Sequence, residues 1–271
     1  MNLKINISAN KALFNLKQSS ANLVKDLSKL SSGNKINSPE DDSAGLSQVI
    51  RMEAELKRNN AVQSNLANFV SLIQTQDGIL GKATEAIKRM SELSILAQDI
   101  VKTDNDRISQ AREFKELQNL LSEMRFSKFN GIDLFSDSKF EVIVDSKGKK
   151  LNFEGIDPSN WDNYLLDKDL LAIDTTVDAE SANIILKSVL QFIGEARSKV
   201  GANLNIINKI SSGLKILNQN LSAATSIIKD VELNSISISY SKSKMLYNSN
   251  ILMLEHSKFN QRRILDLLNF S

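Results

Sequence analysis

The sequence predicts a mostly α-helical protein in which helix pairs from the two chain ends nest around one small central β-hairpin. Three observations carry that prediction. Breakers are scarce, with 2 Pro and 10 Gly in 271 residues, and each would cost a helix interior about 3 and about 1 kcal/mol respectively. Apolar residues recur at heptad spacing in both halves of the chain. One short alternating stretch near the middle is bounded by turn residues. Aromatic residues are only 6% of the chain, so the core must come from Leu, Ile, Val and Ala.

Near the N-terminus, Leu13, Leu16, Leu23, Leu27 and Leu30 follow 3/4 spacing with Ser20 at one position of the stripe. Gly33 follows as a helix C-terminal glycine. The second helix is expected to begin near Ser38-Pro39-Glu40-Asp41, where Ser38 can cap, Pro39 suits the first helical position and the acids favour the positive end. Its stripe is Leu66, Ile73, Leu80 and Ile87, with Val62, Phe69, Ala83, Met90 and Ala97 in the companion row and Gln76 interrupting that row. The polar cluster Lys102-Thr103-Asp104-Asn105 should stop it. A shorter helix from about Asp106 to Phe126 carries Ala111, Phe114, Leu117, Leu121 and Met124 on one face. Asn130-Gly131 reads as a turn.

The middle changes period. Phe140-Glu141-Val142-Ile143-Val144 alternates, Ser146-Lys147-Gly148-Lys149 supplies a turn and Leu151-Asn152-Phe153 returns, which predicts a β-hairpin. Residues 155–180, with Pro158 and Trp161, read as irregular loop. Beyond them lies the longest repeat. Leu186, Ile193, Val200, Ile207, Leu214, Leu221 and Ile228 are seven apart, and Val189, Ala196, Asn203, Ile210, Leu217, Ala224 and Val231 form the second row. At the C-terminus Ile238, Met245, Leu252 and Phe259 repeat the interval, and Ile264, Leu265, Leu267 and Leu268 follow. The two terminal helices each carry an apolar stripe that a lone helix in water cannot bury.

Composition narrows the chemistry. There is no cysteine, so disulfides, thiolate metal sites and cysteine nucleophiles are absent, and His256 is the sole histidine. A zinc site or a Ser-His-Asp triad is therefore hard to build. The formal charge is +2 with basic residues dispersed, which gives no footprint for nucleic acid. The first residues, Met1-Asn2-Leu3-Lys4-Ile5, do not have the apolar core of a cleaved secretory signal, and no stretch reaches the ~18 apolar residues of a membrane span. Asp41-Asp42 project about 100° apart on a helix, which suits capping better than acid–base work. His256, in the polar run Glu255-His256-Ser257-Lys258, reads as solvated. No catalytic constellation emerges, so neither cofactor nor metal is expected.

The motifs nonetheless form a familiar order. Leu30-Ser31-Ser32-Gly33, Ile36-Asn37, Asp41-Asp42 and Ala44-Gly45-Leu46 resemble the N-terminal signature of bacterial flagellins. The resemblance continues through Asn65, Ser71-Leu72-Ile73-Gln74-Thr75 and Phe129-Asn130-Gly131. It resumes at Arg197-Ser198-Lys199-Val200-Gly201-Ala202-Asn203, then Ser226, Ile228, Asp230 and the closing Leu267-Leu268. Departures include Lys29 for a usual Arg, Asn68-Phe69 where Asp-Gly is common, Ile206 for an Arg, Glu232 for an Asp and Gln261 for a Pro.

The resemblance implies a long antiparallel helical hairpin or coiled-coil rod built from both chain ends. On that scheme residues 1–42 and 230–271 form terminal inner helices, 43–135 and 180–229 the rod, and 136–179 a short hairpin and loop insertion. It also implies a structural subunit of the flagellar filament, a homopolymer serving motility. The chain would be exported by a type III apparatus with a flagellin chaperone and would meet cap and hook-associated proteins, without nucleic acid or membrane as partner. Such a filament is extracellular, or periplasmic in a spirochaete.

The residues expected at the assembly interface are Leu13, Leu16, Leu23, Leu27 and Leu30 against Met245, Leu252, Phe259, Leu265 and Leu268. By motif, Arg89, Leu93 and Glu116 match the patch by which some flagellins engage an animal Toll-like receptor, although ordinary surface and packing explain the same residues. A hook–filament junction protein would share the stripes but cap rather than polymerise. A secreted enzyme would need paired ionisable groups in a pocket, which the sequence does not offer.

Overall fold

In a computed structural model the backbone is described for residues 2–159, 161, 163 and 171–269, with the side chains of 2–6, 8, 261 and 264–269 outside that description. Helix α1 spans Asn2–Ser32, α2 Ser43–Ala97, α3 Asp104–Arg125, α4 Thr176–Lys229 and α5 Leu233–Asn269. Two antiparallel hairpins lie between α3 and α4. Strands β1 (Lys128–Phe129) and β2 (Ile132–Asp133) form the first, and β3 (Phe140–Ile143) and β4 (Lys150–Phe153) the second. The fold is thus mostly α with a small central β element. Of the irregular segment expected at 155–180, residues 160, 162 and 164–170 lie outside the described residues, and its end is helical instead, since α4 already begins at Thr176.

The chain divides into two compact units, residues 1–56 with 219–271 and residues 57–218. The divisions fall inside α2 and α4 rather than at their ends. In the first unit Lys229 Nζ reaches Glu53 Oε1 at 2.7 Å and Thr225 Oγ1 approaches Met52 Sδ at 3.7 Å, which ties the start of α2 to the end of α4.

The larger unit owns a continuous apolar core. The two rows expected on α2, from Val62 and Leu66 to Met90 and Ala97, are buried, as are Leu186, Val189, Ile193, Ala196, Val200 and Ile207 of α4 and Phe114 and Leu121 of α3. Helices α2 and α4 run antiparallel, held in register by Arg197, whose Nε and Nη2 donate to Asp77 Oδ1 and Oδ2 at 2.8 and 3.3 Å. Farther along the pair, Asn218 Nδ2 donates to Asn60 Oδ1 at 3.0 Å. Gln76, the interruption in the α2 row, turns its amide into the core and donates to the Leu134 carbonyl at 2.6 Å. Asn68-Phe69, one of the departures from the flagellin pattern, has a packing role. The Phe69 ring lies 5.8 Å from Phe140 and 5.1 Å from Phe153 and anchors the second hairpin to α2.

Three expectations need correction. Helix α2 starts at Ser43, not near Ser38, because Asp42 Oδ1 takes the Gly45 N–H at 2.9 Å and residues 39–41 form a turn. It ends at Ala97, and α3 starts two residues early because Thr103 and Asp106 form a reciprocal capping box. In α4 the heptad phase does not hold to the end. Leu217 is exposed while Asn218 and Thr225 turn inward, as expected when a nearly straight helix drifts about 20° per heptad. The Asn-Gly turn is as read: Asn130 and Gly131 have φ of 50° and 82° and close the β1–β2 hairpin.

Candidate functional site: the terminal helix pair

Helices α1 and α5 pack antiparallel, and the seam between them is polar. Asn250 Nδ2 donates to Ser19 Oγ at 3.1 Å and to the Asn15 carbonyl at 3.2 Å. One turn-pair away, Ser243 and Ser239 donate their hydroxyls to Asp26 Oδ2 at 2.7 and 3.1 Å. Ala12, Ser19, Ile236 and Ser243 are buried along this line. These hydrogen bonds, worth about 1 kcal/mol each, add to the small apolar area buried along the seam.

Part of the apolar surface of these helices points the other way. On α5, Met245, Leu252 and Phe259 are 73%, 64% and 57% exposed, joined by Ile238. Ile238, Met245 and Leu252 each stand two residues after a seam residue (Ile236, Ser243 and Asn250), about 200° around the helix. On α1, Leu16, Leu23 and Leu30 are half-buried toward the seam, whereas Leu13, Leu27, Phe14 and Val24 are exposed. The structure therefore splits the sequence-derived interface set. Three of the five N-terminal leucines flank the intrachain seam, and Met245, Leu252 and Phe259 lie clear of it. Leu265 and Leu268 lie on α5, but their side chains are outside the described residues. Sequence reasoning missed Ser19, Asp26, Ser243 and Asn250, since a polar stripe between helices has the same periodicity as a solvated face.

Backbone pairing closes the helix pair at its base. Lys35 N–H donates to the Lys229 carbonyl at 2.6 Å and Val231 N–H to the Gly33 carbonyl at 2.9 Å. Gly33, at φ 70°, ends α1 with its N–H on the Lys29 carbonyl. Asp41 holds the following turn: it binds Lys25 Nζ at 2.7 Å and accepts the Asn37 N–H at 3.1 Å. The Lys25 contact, then the Asn37 N–H, keep its carboxyl below the usual carboxylate range. This is the structural role expected of the Asp41-Asp42 pair.

The expected receptor patch is altered by the fold. Leu93 is 1% exposed, inside the α2 core row, so it cannot present a surface. Arg89 is exposed but is engaged by Glu113, at 2.7 and 3.2 Å, and by Glu92 at 3.1 Å, while Glu116 remains on the surface of α3. Among the described residues no three His, Cys, Asp or Glu side chains converge to hold an ion, and no helix is long and apolar enough to cross a membrane. The chemistry available at the terminal pair is burial of apolar surface.

Comparison with known proteins gives the same picture. Residues 4–139 match the bacterial flagellin N-terminal helical region. The flagellar filament 30.7 kDa core protein of Treponema maltophilum is 29% identical over 260 residues, covering 90% of this chain and 91% of that one. In fold the chain is similar to a Vibrio parahaemolyticus chain assigned as a flagellar hook-associated protein (TM-score 0.60, 14% identity, 70% of this chain and 99% of that one). It is also similar to the crystal structure of Bacillus cereus flagellin (TM-score 0.50, 22% identity, 60% and 94%). With its twin terminal helices, its paired long helices and its N-terminal half matched throughout, the chain belongs to the bacterial flagellin family, the structural subunits of the flagellar filament.

Proposed function

We propose that this chain builds its filament by laying the outward apolar faces of the α1–α5 pair against neighbouring copies. The observation that carries the reading is the exposed apolar row of α5, left outside a seam that Ser, Asn and Asp side chains tie together. Each fully buried Leu, Met or Phe contributes about 1.5 to 3 kcal/mol. The row Ile238, Met245, Leu252 and Phe259 can thus supply a large part of a subunit's binding energy once a neighbour covers it. Leu13 and Leu27 extend the surface on α1, and Leu16, Leu23 and Leu30 set the pair's own spacing. The protein works by assembly and performs no catalysis.

Export through the flagellum's own type III apparatus, with a chaperone that shields the C-terminal stripe before assembly, fits the same surface. Cap and hook-associated proteins would then meet the helix pair at the two filament ends. The Treponema relative favours a filament housed in the periplasm. Receptor recognition would draw on Arg89 and Glu116 without Leu93.

Seeded polymerisation imaged by electron microscopy tests the proposal. Leu252→Asp places a charge on an exposed site, so the helix content of the free chain should stay unchanged. Filament yield should fall tenfold or more, since about 1.4 kcal/mol per subunit suffices for that factor. Normal yield would count against the interface. A wild-type chain that binds seed ends and stops growth would make it a junction protein instead.

A further inference from the structure

We infer that Met245 and Met253 of α5 form an oxidation site, at which a peroxide takes the free subunit out of assembly and reduction of the sulfoxide returns it. The inference rests on the self-assembly proposed above. The chain has 6 methionines and no cysteine, so thioethers are its only sulfur and no thiol competes for the oxidant. The fold sorts them. Met90 is fully buried in the α2 row, Met124 is half-buried against the same core, and the Met52 sulfur accepts the Thr225 hydroxyl at 3.7 Å. Met1 lies outside the described residues. Among the described methionines only Met245 and Met253 are exposed, at 73% and 61%. Both stand on α5, and Met245 belongs to the apolar row of Ile238, Leu252 and Phe259.

Access to the sulfur decides how fast it oxidises. Met245 shares an open hollow of about 440 Å³ with Ser237, Ile238, Ser241 and Lys242, room enough for hydrogen peroxide and water. The thioether gives a lone pair to one peroxide oxygen, so an S–O bond forms and the O–O bond breaks. Sulfur is oxidised by two electrons, the peroxide is reduced by two, and both peroxide protons leave with the second oxygen as water. The product is a sulfoxide, a polar chiral group in place of a flexible apolar one. On a solvated helix the change costs little, because water donates to the new oxygen. Under a neighbouring copy that oxygen loses its water and faces apolar side chains. Ser241 and Lys242, one turn back and exposed, can follow it with a donor only if a hydroxyl or a charge is buried as well. The penalty therefore falls on assembly and not on the fold. The same cover shields the sulfur, so free subunits are open to the oxidant and polymerised ones are protected.

Free chain treated with hydrogen peroxide and mapped by mass spectrometry should gain sulfoxide at Met245 and Met253 about tenfold faster than at Met90, with helix content unchanged. Its critical concentration in seeded growth should rise about tenfold, and methionine sulfoxide reductase should restore the original value. Met245→Leu combined with Met253→Leu keeps the surface apolar, so that double variant should grow normally and ignore peroxide. Inhibition that persists in the double variant, or oxidised wild-type chain that grows normally, overturns the proposal. Where the double variant does not elongate, wild-type filaments decide. Met245 in the polymer should oxidise about tenfold more slowly than in free chain, and equal rates overturn the proposal. Untreated wild-type chain that fails to grow from seeds sinks the self-assembly reading and the switch with it. Untreated and oxidised chain that grow equally well sink the switch alone.

Discussion

Of the polar residues buried on α2, Gln76 and Asn59 do opposite things. Gln76 gives its amide proton to the Leu134 carbonyl, 58 residues away in sequence. Asn59, fully buried, has neither amide atom partnered among the described residues. Gln76→Leu should therefore destabilise by about 1 to 3 kcal/mol, because it orphans a buried carbonyl, while Asn59→Leu should stabilise by a similar amount. Thermal melting of both variants checks the pair, and equal shifts would refute the reasoning. The interruption at Gln76 was legible in the sequence, but its purpose was not, since the acceptor is brought there only by the chain's return. Asp41 gives a pH signature. Lys25 and the Asn37 N–H favour its ionised form in the fold, so its stabilising contribution is complete above about pH 4 and is lost as pH falls further. Asp41→Asn should weaken the protein at neutral pH and flatten the decline in melting temperature between about pH 5 and pH 2.

At the scale of elements, helix existence was readable and helix ends were not. Heptads placed α2 and α4 because an apolar stripe is a property of many residues at once. The start of α2 depended on a single choice between Ser38 and Asp42, made by the Gly45 N–H, and the end of the α4 phase on accumulated drift past Leu214. The second hairpin was legible from alternation, but its anchor was not. Phe69 looked like a departure from a family pattern until the fold set it against Phe140 and Phe153. Phe69→Ala should cost about 3 to 5 kcal/mol by denaturant titration. The β3–β4 amides should lose protection from hydrogen exchange before those of α2. Loss confined to α2 would show that the hairpin stands without its anchor.

For the whole molecule, the two units differ in how they are held. Residues 57–218 bury a continuous core from Val62 to Leu214, whereas the unit of the two termini buries few large apolar side chains and relies on Ser, Asn and Asp across its seam. Regions with few buried apolar contacts open at lower free energy. The amides of α1 and α5 should therefore exchange in free protein well before those of α2 and α4 in the core unit, and the ranking should reverse in part on polymerisation. Equal protection in the free chain would contradict this. Removing residues 1–30 should leave the core unit's cooperative melting intact and abolish filament growth.

The sequence by itself determined the helical class, the central hairpin, the Asn130-Gly131 turn and the family, because periodicity and turn chemistry are local properties. Only the tertiary structure decided which way each terminal stripe faces. A helix with apolar residues on one side and serines on another can pack by either, and the pairing of Asp26 with Ser239 and Ser243 is what turns Met245, Leu252 and Phe259 outward.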